Sequence, residues 1–274
     1  MKDTISNIRF PYFTLKIVLL LLVMLKKELQ MLIRRSAYII GLIATLSVSA
    51  FAKDVTIPQV NAENPPALAD YRLNYAEMRD IADAKKLPHR VFYIPSVGPD
   101  AAWFDAVKKG NLAEVKKMVA AGQNLEAKDE TMYGQTALGW AAFIGYQDIV
   151  EYLVKQGADL FATDRADVKS AFKSAVLGKN VEVVKYLYPL VKDKIDVNDQ
   201  SLDNERESLV MIAASNNRID VVKYLISLGA DLNLVSTQLD QSALTYACQR
   251  GHQDMIKLLI DSGAVNHRTK KTSC

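Results

Sequence analysis

Three histidines and two cysteines among 274 residues leave little material for catalysis or metal binding. His89, His252 and His267 are scattered, and no two of them, nor a His with a Cys, have metal-ligand spacing. The chain has no Gly-rich phosphate loop and no nucleophile motif, and its acidic residues recur periodically where an acid–base pair would occur once. Charge of one sign is also missing. Seven of the 34 basic and two of the 31 acidic side chains fall in residues 1–52, so residues 53–274 carry 27 and 29, a net of about −2. That balance excludes a nucleic-acid footprint. No enzymatic reading has a residue to stand on, and no cofactor or metal is expected.

Cysteine is scarce although the N-terminus reads as an export signal. Met31-Leu-Ile-Arg-Arg35 is cationic, Ala37 to Ser49 is apolar, and Ala50-Phe51-Ala52 is a small-residue cleavage site before Lys53. The apolar run is shorter than the roughly 20 residues of a membrane anchor. Residues 31–52 are therefore expected to be a cleaved secretory signal, which places the mature chain in the periplasm or outside the cell. Ile17 to Leu25 is a second apolar run. Because Met31 opens a complete signal, residues 1–30 read as an over-extended start; translated and uncleaved, the two runs would tether the protein to a membrane. No Cys follows the cleavage site to carry a lipid. Cys248 lies in an Ala-rich segment as a small buried thiol, and Cys274 ends a polar tail (269–274), where pairing between molecules is open to it.

Residues 53–67, with Pro58, Pro65 and Pro66, read as a linker. From Leu68 to Lys86, Tyr71, Tyr75, Met78 and Ala82 fall on one helical face, and Pro88 ends the pattern. Residues 68–100 are thus expected to hold a helix and loop that either cap the chain from residue 101 onward or bind a partner.

What is abundant is repetition. Thr136-Ala-Leu-Gly-Trp-Ala-Ala142, Asp148-Ile-Val-Glu-Tyr-Leu153 and Gly157-Ala-Asp-Leu160 return as Ser208-Leu-Val-Met-Ile-Ala-Ala214, Asp220-Val-Val-Lys-Tyr-Leu225 and Gly229-Ala-Asp-Leu-Asn233. The turns between paired helices align at Gly110, Gly145, Lys179, Asn217 and Gly251, steps of 35, 34, 38 and 34 residues. Repetition at this period means stacked units, each burying its apolar face only against a neighbour. The fold class is all-α: a solenoid of about five helix-turn-helix units over 101–268. Leu153, Leu187, Leu225 and Leu259 should be buried. Gly and Asn suit the turns because they accept positive φ. Lys179 departs from that pattern, with Gly178 beside it to take the strained position. The third unit lacks the terminal Gly of the others and runs through Pro189, which marks it for a bend or local opening.

These motifs resemble the ankyrin repeat, with its Gly-x-Thr-Pro-Leu-His-x-Ala-Ala, Gly-His-x-x-Ile-Val and Gly-Ala-Asp-x-Asn segments. Gly134-Gln-Thr-Ala-Leu-Gly-Trp-Ala-Ala142, Gly251-His252 and Gly229-Ala-Asp-Leu-Asn233 carry the likeness. The first-helix His of the family is replaced by Gly139, Lys173, Met211 and Thr245, which implies fewer hydrogen bonds there. The resemblance implies a non-catalytic scaffold binding a protein partner on its inner face, at hairpin tips and exposed first-helix positions. Carried over, these are Met132, Tyr133, Gln135, Phe143 and Ile144; Lys169 and Leu177; Asn204, Glu205, Glu207, Ser215 and Asn216; and Gln238, Leu239, Gln241, Gln249 and Arg250. Met132, Tyr133, Phe143 and Ile144 would form an apolar interface if exposed; otherwise the 68–86 helix or a neighbouring repeat covers them. Trp140 reads as packing. The functional expectation is a periplasmic interaction scaffold that restrains or protects an enzyme. The alternative is a secreted effector acting on host proteins.

Overall fold

The computed structural model describes residues 68–274, except 163, 166–167, 169 and 202–204. The expectations for residues 1–67 (extra apolar segment, signal, linker) lie outside the described residues. Within them the chain is helical, with two isolated β-bridges, Asp129–Gln135 and Ser236–Gln241, at hairpin bases and no longer strand.

A short helix, α1 (Tyr75–Ile81), precedes five helix pairs: α2 (Ala101–Lys109) with α3 (Leu112–Ala120), α4 (Ala137–Ile144) with α5 (Gln147–Lys155), α6 (Ala171–Leu177) with α7 (Val181–Val191), α8 (Leu209–Ser215) with α9 (Ile219–Ser227), and α10 (Ala243–Arg250) with α11 (Gln253–Asp261). Each first helix packs on the next first helix, which makes one continuous layer. α4, α6 and α8 are buried along their whole lengths. The second helices are amphipathic and bury one stripe. Leu153, Leu187, Leu225 and Leu259 are all fully buried.

Local chemistry explains the element ends. Thr136, Ser170 and Ser242 cap first helices by accepting from the N–H three residues on. The second helices carry Glu114, Asp148, Glu182, Asp220 and Asp254 in their first turns, where a negative charge meets the positive helix end. Asn217 takes the left-handed conformation (φ 58°) as its turn requires. Gly178 does not, at φ −73° and ψ −177°. It is glycine for a different reason: a Cβ there would stand 2.3 Å from the Phe143 carbonyl oxygen of the preceding unit. Pro189 does not break the third unit either. α7 runs through it to Val191, and the Lys192 N–H donates to Tyr188 O at 2.9 Å.

Two sequence expectations need correction. The helix foreseen over Leu68–Lys86 is confined to Tyr75–Ile81, because Asn74 and Glu77 form a reciprocal capping box that starts it there. Pro88 opens a 3-10 turn, Pro88–Arg90, instead of closing a helix. Second, Cys248 is not a free thiol and Cys274 is not free for a second molecule: they form a disulfide with Cα atoms 5.6 Å apart. The tail doubles back onto α10, and the Asn266 side-chain amide donates to the carbonyls of Ser273 and Cys274. Cys248 occupies the position of Ala142 and Ala214, and in the fifth unit the pinned tail lies against it.

Candidate partner-binding face

The inner face is built from the first helices and the hairpin tips, and its first stretch is already filled. Residues 68–100 do not merely cap the end of the array; they form a strap across several units. At its start, the Arg72 N–H donates to Lys109 O at 2.9 Å and the Arg72 guanidinium pairs with Asp148 at 2.8 Å. α1 then packs against α4. Arg218, in the turn between α8 and α9, holds the end of α1. Its guanidinium donates to Leu177 O (2.8 Å), Asp80 O (3.0 Å) and Ile81 O (2.7 Å). Burial pulls the Arg218 pKa down to about 10, with Asp80 and Asp83 opposing. Asp80 also pairs with Lys179.

The strap returns along the hairpin tips. Its aromatic anchor Phe92 is fully buried with its ring centroid 6.4 Å from that of Phe143, in edge-on geometry. Arg90 lies over the same Phe143 ring and forms a 2.8 Å ion pair with Asp164 in which both side chains are 1 % exposed. His89 meets Tyr133 edge-on at 5.8 Å. The Val97 N–H donates to Thr131 Oγ1, and the Ser96 N–H to Asp105.

Beneath this segment sits a buried ionic cluster. Lys108 Nζ and Asp129 Oδ2 are 2.6 Å apart and neither side chain is exposed. Lys108 also donates to Ser96 Oγ at 2.7 Å, while Trp140 Nε1 donates to Asp129 Oδ2 at 2.9 Å. Burial holds the Lys108 pKa below its ordinary value against the opposing pull of Asp129. The cluster ties strap, α2 and the second hairpin together.

The strap decides which of the sequence-derived positions face solvent. Phe143 and Ile144 are buried on α4, and Met132 and Gln135 are buried at the hairpin, so the apolar patch considered from the sequence is covered. Gln135 works inward. Its amide donates to Ser174 Oγ at 3.3 Å, and it fills the space above Gly139, where a Cβ would meet Gln135 Oε1 at 1.9 Å. Glycine at that position, where the resemblance expected His, makes room for this side chain. Trp140 is core. Tyr133 alone of the second-repeat set projects, 54 % exposed in a left-handed conformation. Toward the other end Glu205 and Gln249 are exposed, Leu239 is 39 % exposed, and Glu207, Asn216 and Arg250 are half-buried. Lys169 and Asn204 lie outside the described residues. Burial and then a hydrogen bond to Glu207 push the Tyr246 phenol above its ordinary value, which ties the fourth hairpin to α10.

Arg218, Arg90, Phe92 and the Lys108–Asp129 pair are the contacts that sequence reasoning missed. Among the described residues no group of three His, Cys, Asp or Glu side chains could hold a metal, and no helix is long and apolar enough to cross a membrane.

Stacked helix pairs with projecting hairpins define a repeat solenoid, a class whose extended concave surfaces serve binding. Residues 103–201 and 172–271 match the family model for ankyrin repeats. The chain belongs to the ankyrin-repeat family, and such an array is a scaffold for protein–protein interaction, generally non-catalytic. It is 26 % identical over 152 residues to the ankyrin repeat and KH domain-containing protein mask-1 of Caenorhabditis elegans, covering 48 % of this chain and 6 % of that protein. It is 28 % identical over 158 residues to the potassium channel AKT2/3 of Arabidopsis thaliana (58 % and 18 %). With alpha-latrocrustotoxin-Lt1a of Latrodectus tredecimguttatus it shares 39 % over 98 residues (36 % and 6 %). The chain thus spans less than a fifth of the length of these relatives.

Proposed function

We propose that this is an exported, non-catalytic scaffold that binds a protein partner through the inner face of its last two repeats and the adjoining hairpin tips. The observation that carries the reading is the division of that face. The strap covers Phe143 and Ile144, while Glu205, Asn216, Leu239, Gln249 and Arg250 retain access to solvent. Restraint or protection of an enzyme in the periplasm is the role that suits a binding array after cleavage near Ala52. The Cys248–Cys274 disulfide supports export, since such bonds persist in oxidising compartments.

The test is immunoprecipitation of the mature protein from the periplasm, with sequencing of its N-terminus and of the proteins that accompany it. The expected result is a start at Lys53 and one dominant partner that is lost with Leu239→Ala plus Gln249→Ala. An uncleaved leader, or a mature chain found only in the medium with no periplasmic partner, would count against the periplasmic role. The second of these outcomes would favour the secreted effector.

A further inference from the structure

Two hollows open on the inner face, and the aromatic lining of the first, Phe161 and Phe172, belongs to no position that the repeat pattern singles out as a site. One, of about 160 Å³, lies at the junction of the third and fourth repeats, with Phe161, Phe172, Ile195, Leu209 and Ile212 as its apolar lining. The other, of about 230 Å³, lies between the strap residues Lys86, Leu87 and His89 on one side and Tyr246 and Arg250 on the other. Glu207 and Ile212 line both, so the hollows meet in a single groove along α8. The first hollow is mainly apolar in surface, although Lys173, Lys194, Asp196, Asp199 and Glu207 also line it; the second is more polar and bounded by the strap.

We infer that this groove holds an extended peptide segment of the partner, with one aromatic or large branched side chain filling the cavity at the third-to-fourth junction. The inference rests on the protein-binding reading above and adds the partner's chemistry to it. Size supports the anchor, because an apolar cavity of roughly 150 Å³ lined by Leu, Ile and Phe takes a ligand the size of benzene. Continuity supports the peptide. The strap that forms one wall of the groove is itself an irregular segment seated on the same inner face, and it is anchored there by the aromatic ring of Phe92 against Phe143. A second segment lying beside it would extend the same mode of packing toward α10. The cavity has a cause in the sequence. The third unit runs on through Pro189 to Val191, and the longer connection after it brings Lys194, Ile195, Asp196 and Asp199 to the cavity wall.

The experiment is selection of a phage-displayed library of random twelve-residue peptides on the disulfide-bonded protein, with affinities of the enriched peptides measured on variants. Leu209→Trp fills the cavity, and Phe161→Ala removes part of its wall from a half-buried loop position that the fold tolerates. Tyr133→Ala alters an exposed tip that lines neither hollow and touches the groove only through the His89 ring. The expected result is peptides sharing one aromatic or branched apolar residue, weakened at least tenfold by Leu209→Trp and by Phe161→Ala and less than twofold by Tyr133→Ala. A melting curve accompanies each variant, and if Leu209→Trp unfolds the array, Phe161→Ala decides. Peptides insensitive to both cavity variants but lost on Tyr133→Ala would overturn the groove and leave the scaffold reading standing. A selection that enriches nothing would overturn the groove as well, and the periplasmic pull-down then judges the broader reading alone.

Discussion

Lys108 and Asp129 form an ion pair with no exposed surface, so removing one partner leaves the other stranded. In Lys108→Met, Asp129 keeps the Trp140 indole at 2.9 Å, Ser96 Oγ at 3.3 Å and the Thr131 N–H at 3.1 Å, but no positive charge. An uncompensated buried charge costs about 3–5 kcal/mol, a large part of the roughly 5–15 kcal/mol that holds a typical protein folded. Asp129→Leu strands the ammonium against Ser96 Oγ and the face of Trp140, 4.9 Å away, and leaves the Trp140 and Thr131 donors unpaired. Its cost should equal or exceed that of Lys108→Met, since each unpaired buried donor adds about 1–3 kcal/mol. The double variant removes both charges, so it should fall short of the summed single costs by about 2–3 kcal/mol, within the range seen for groups in contact. Urea unfolding followed by the fluorescence of Trp103 and Trp140 measures all three.

A pH series sharpens the test. Lys108 has a folded pKa below its ordinary value, so the folded state binds fewer protons than the unfolded one in the window up to about 10.4. Stability from this group therefore rises with pH through that window. Losing Asp129 depresses the folded pKa further and widens the window downward. Asp129→Leu should therefore gain stability with rising pH over a wider window than the parent, with the one-proton limit of about 1.4 kcal/mol per pH unit as the ceiling on its slope. Additive single costs, or a Lys108→Met variant within about 1 kcal/mol of the parent, would refute the buried pair.

Three further outcomes concern single sites. Leu225→Ala empties a fully buried position between α9 and its neighbours and should cost about 2–5 kcal/mol in the same urea assay; an unchanged midpoint would mean the repeat register is wrong. Cys274→Ala opens a loop of 26 residues, which loop-closure entropy values at about 3.5 kcal/mol. Hydrogen exchange should quicken in α10 and α11 and stay unchanged in α4, and uniform quickening would show that the staple is not local. Burial lowers the His252 pKa, so the folded state takes up its proton less readily than the unfolded one. Stability from this residue is lost as pH falls through about 6.5, and His252→Gln should flatten the decline between pH 7 and 5.5; a parallel decline in both proteins assigns the slope to other groups.

The five units, their turns and the buried leucines were legible because each is written several times at a fixed period, and local chemistry fixes it. The strap was not, because its contacts are made once and far apart in sequence. Arg218 reaches Ile81 across 137 positions and Arg90 reaches Asp164 across 74. No pattern marks Arg218 as different from the other turn residues. Phe92 stands in a segment with no helical period, and only the fold brings it to Phe143. The same holds for the candidate site: Phe143 and Ile144 occupy inner-face positions, and their burial depends on a segment some 50 residues upstream. The disulfide was missed for the opposite reason. Cys248 matched the Ala column so well that it read as packing, and nothing local in the sequence ties it to Cys274, 26 residues on.

Whether the strap is a lid or a wall is decided by its burial. Met78, Val91 and Phe92 are fully buried, and exposing side chains of this kind costs roughly 1.5–3 kcal/mol each. Lifting the strap would thus forfeit about 5–9 kcal/mol before its ion pairs are counted, comparable with the whole stability of a typical domain. A partner would have to recover that much on the face it uncovers, which for a 1 nM complex of about −12 kcal/mol leaves little. Arg218 adds to the barrier, because withdrawing α1 would leave its nearly buried guanidinium with one of its three backbone acceptors. The strap is part of the fold, and a partner meets it as a fixed wall. This is why the proposed binding surface lies on the fourth and fifth repeats, where Glu205, Leu239 and Gln249 are exposed and the strap supplies one side of the proposed groove.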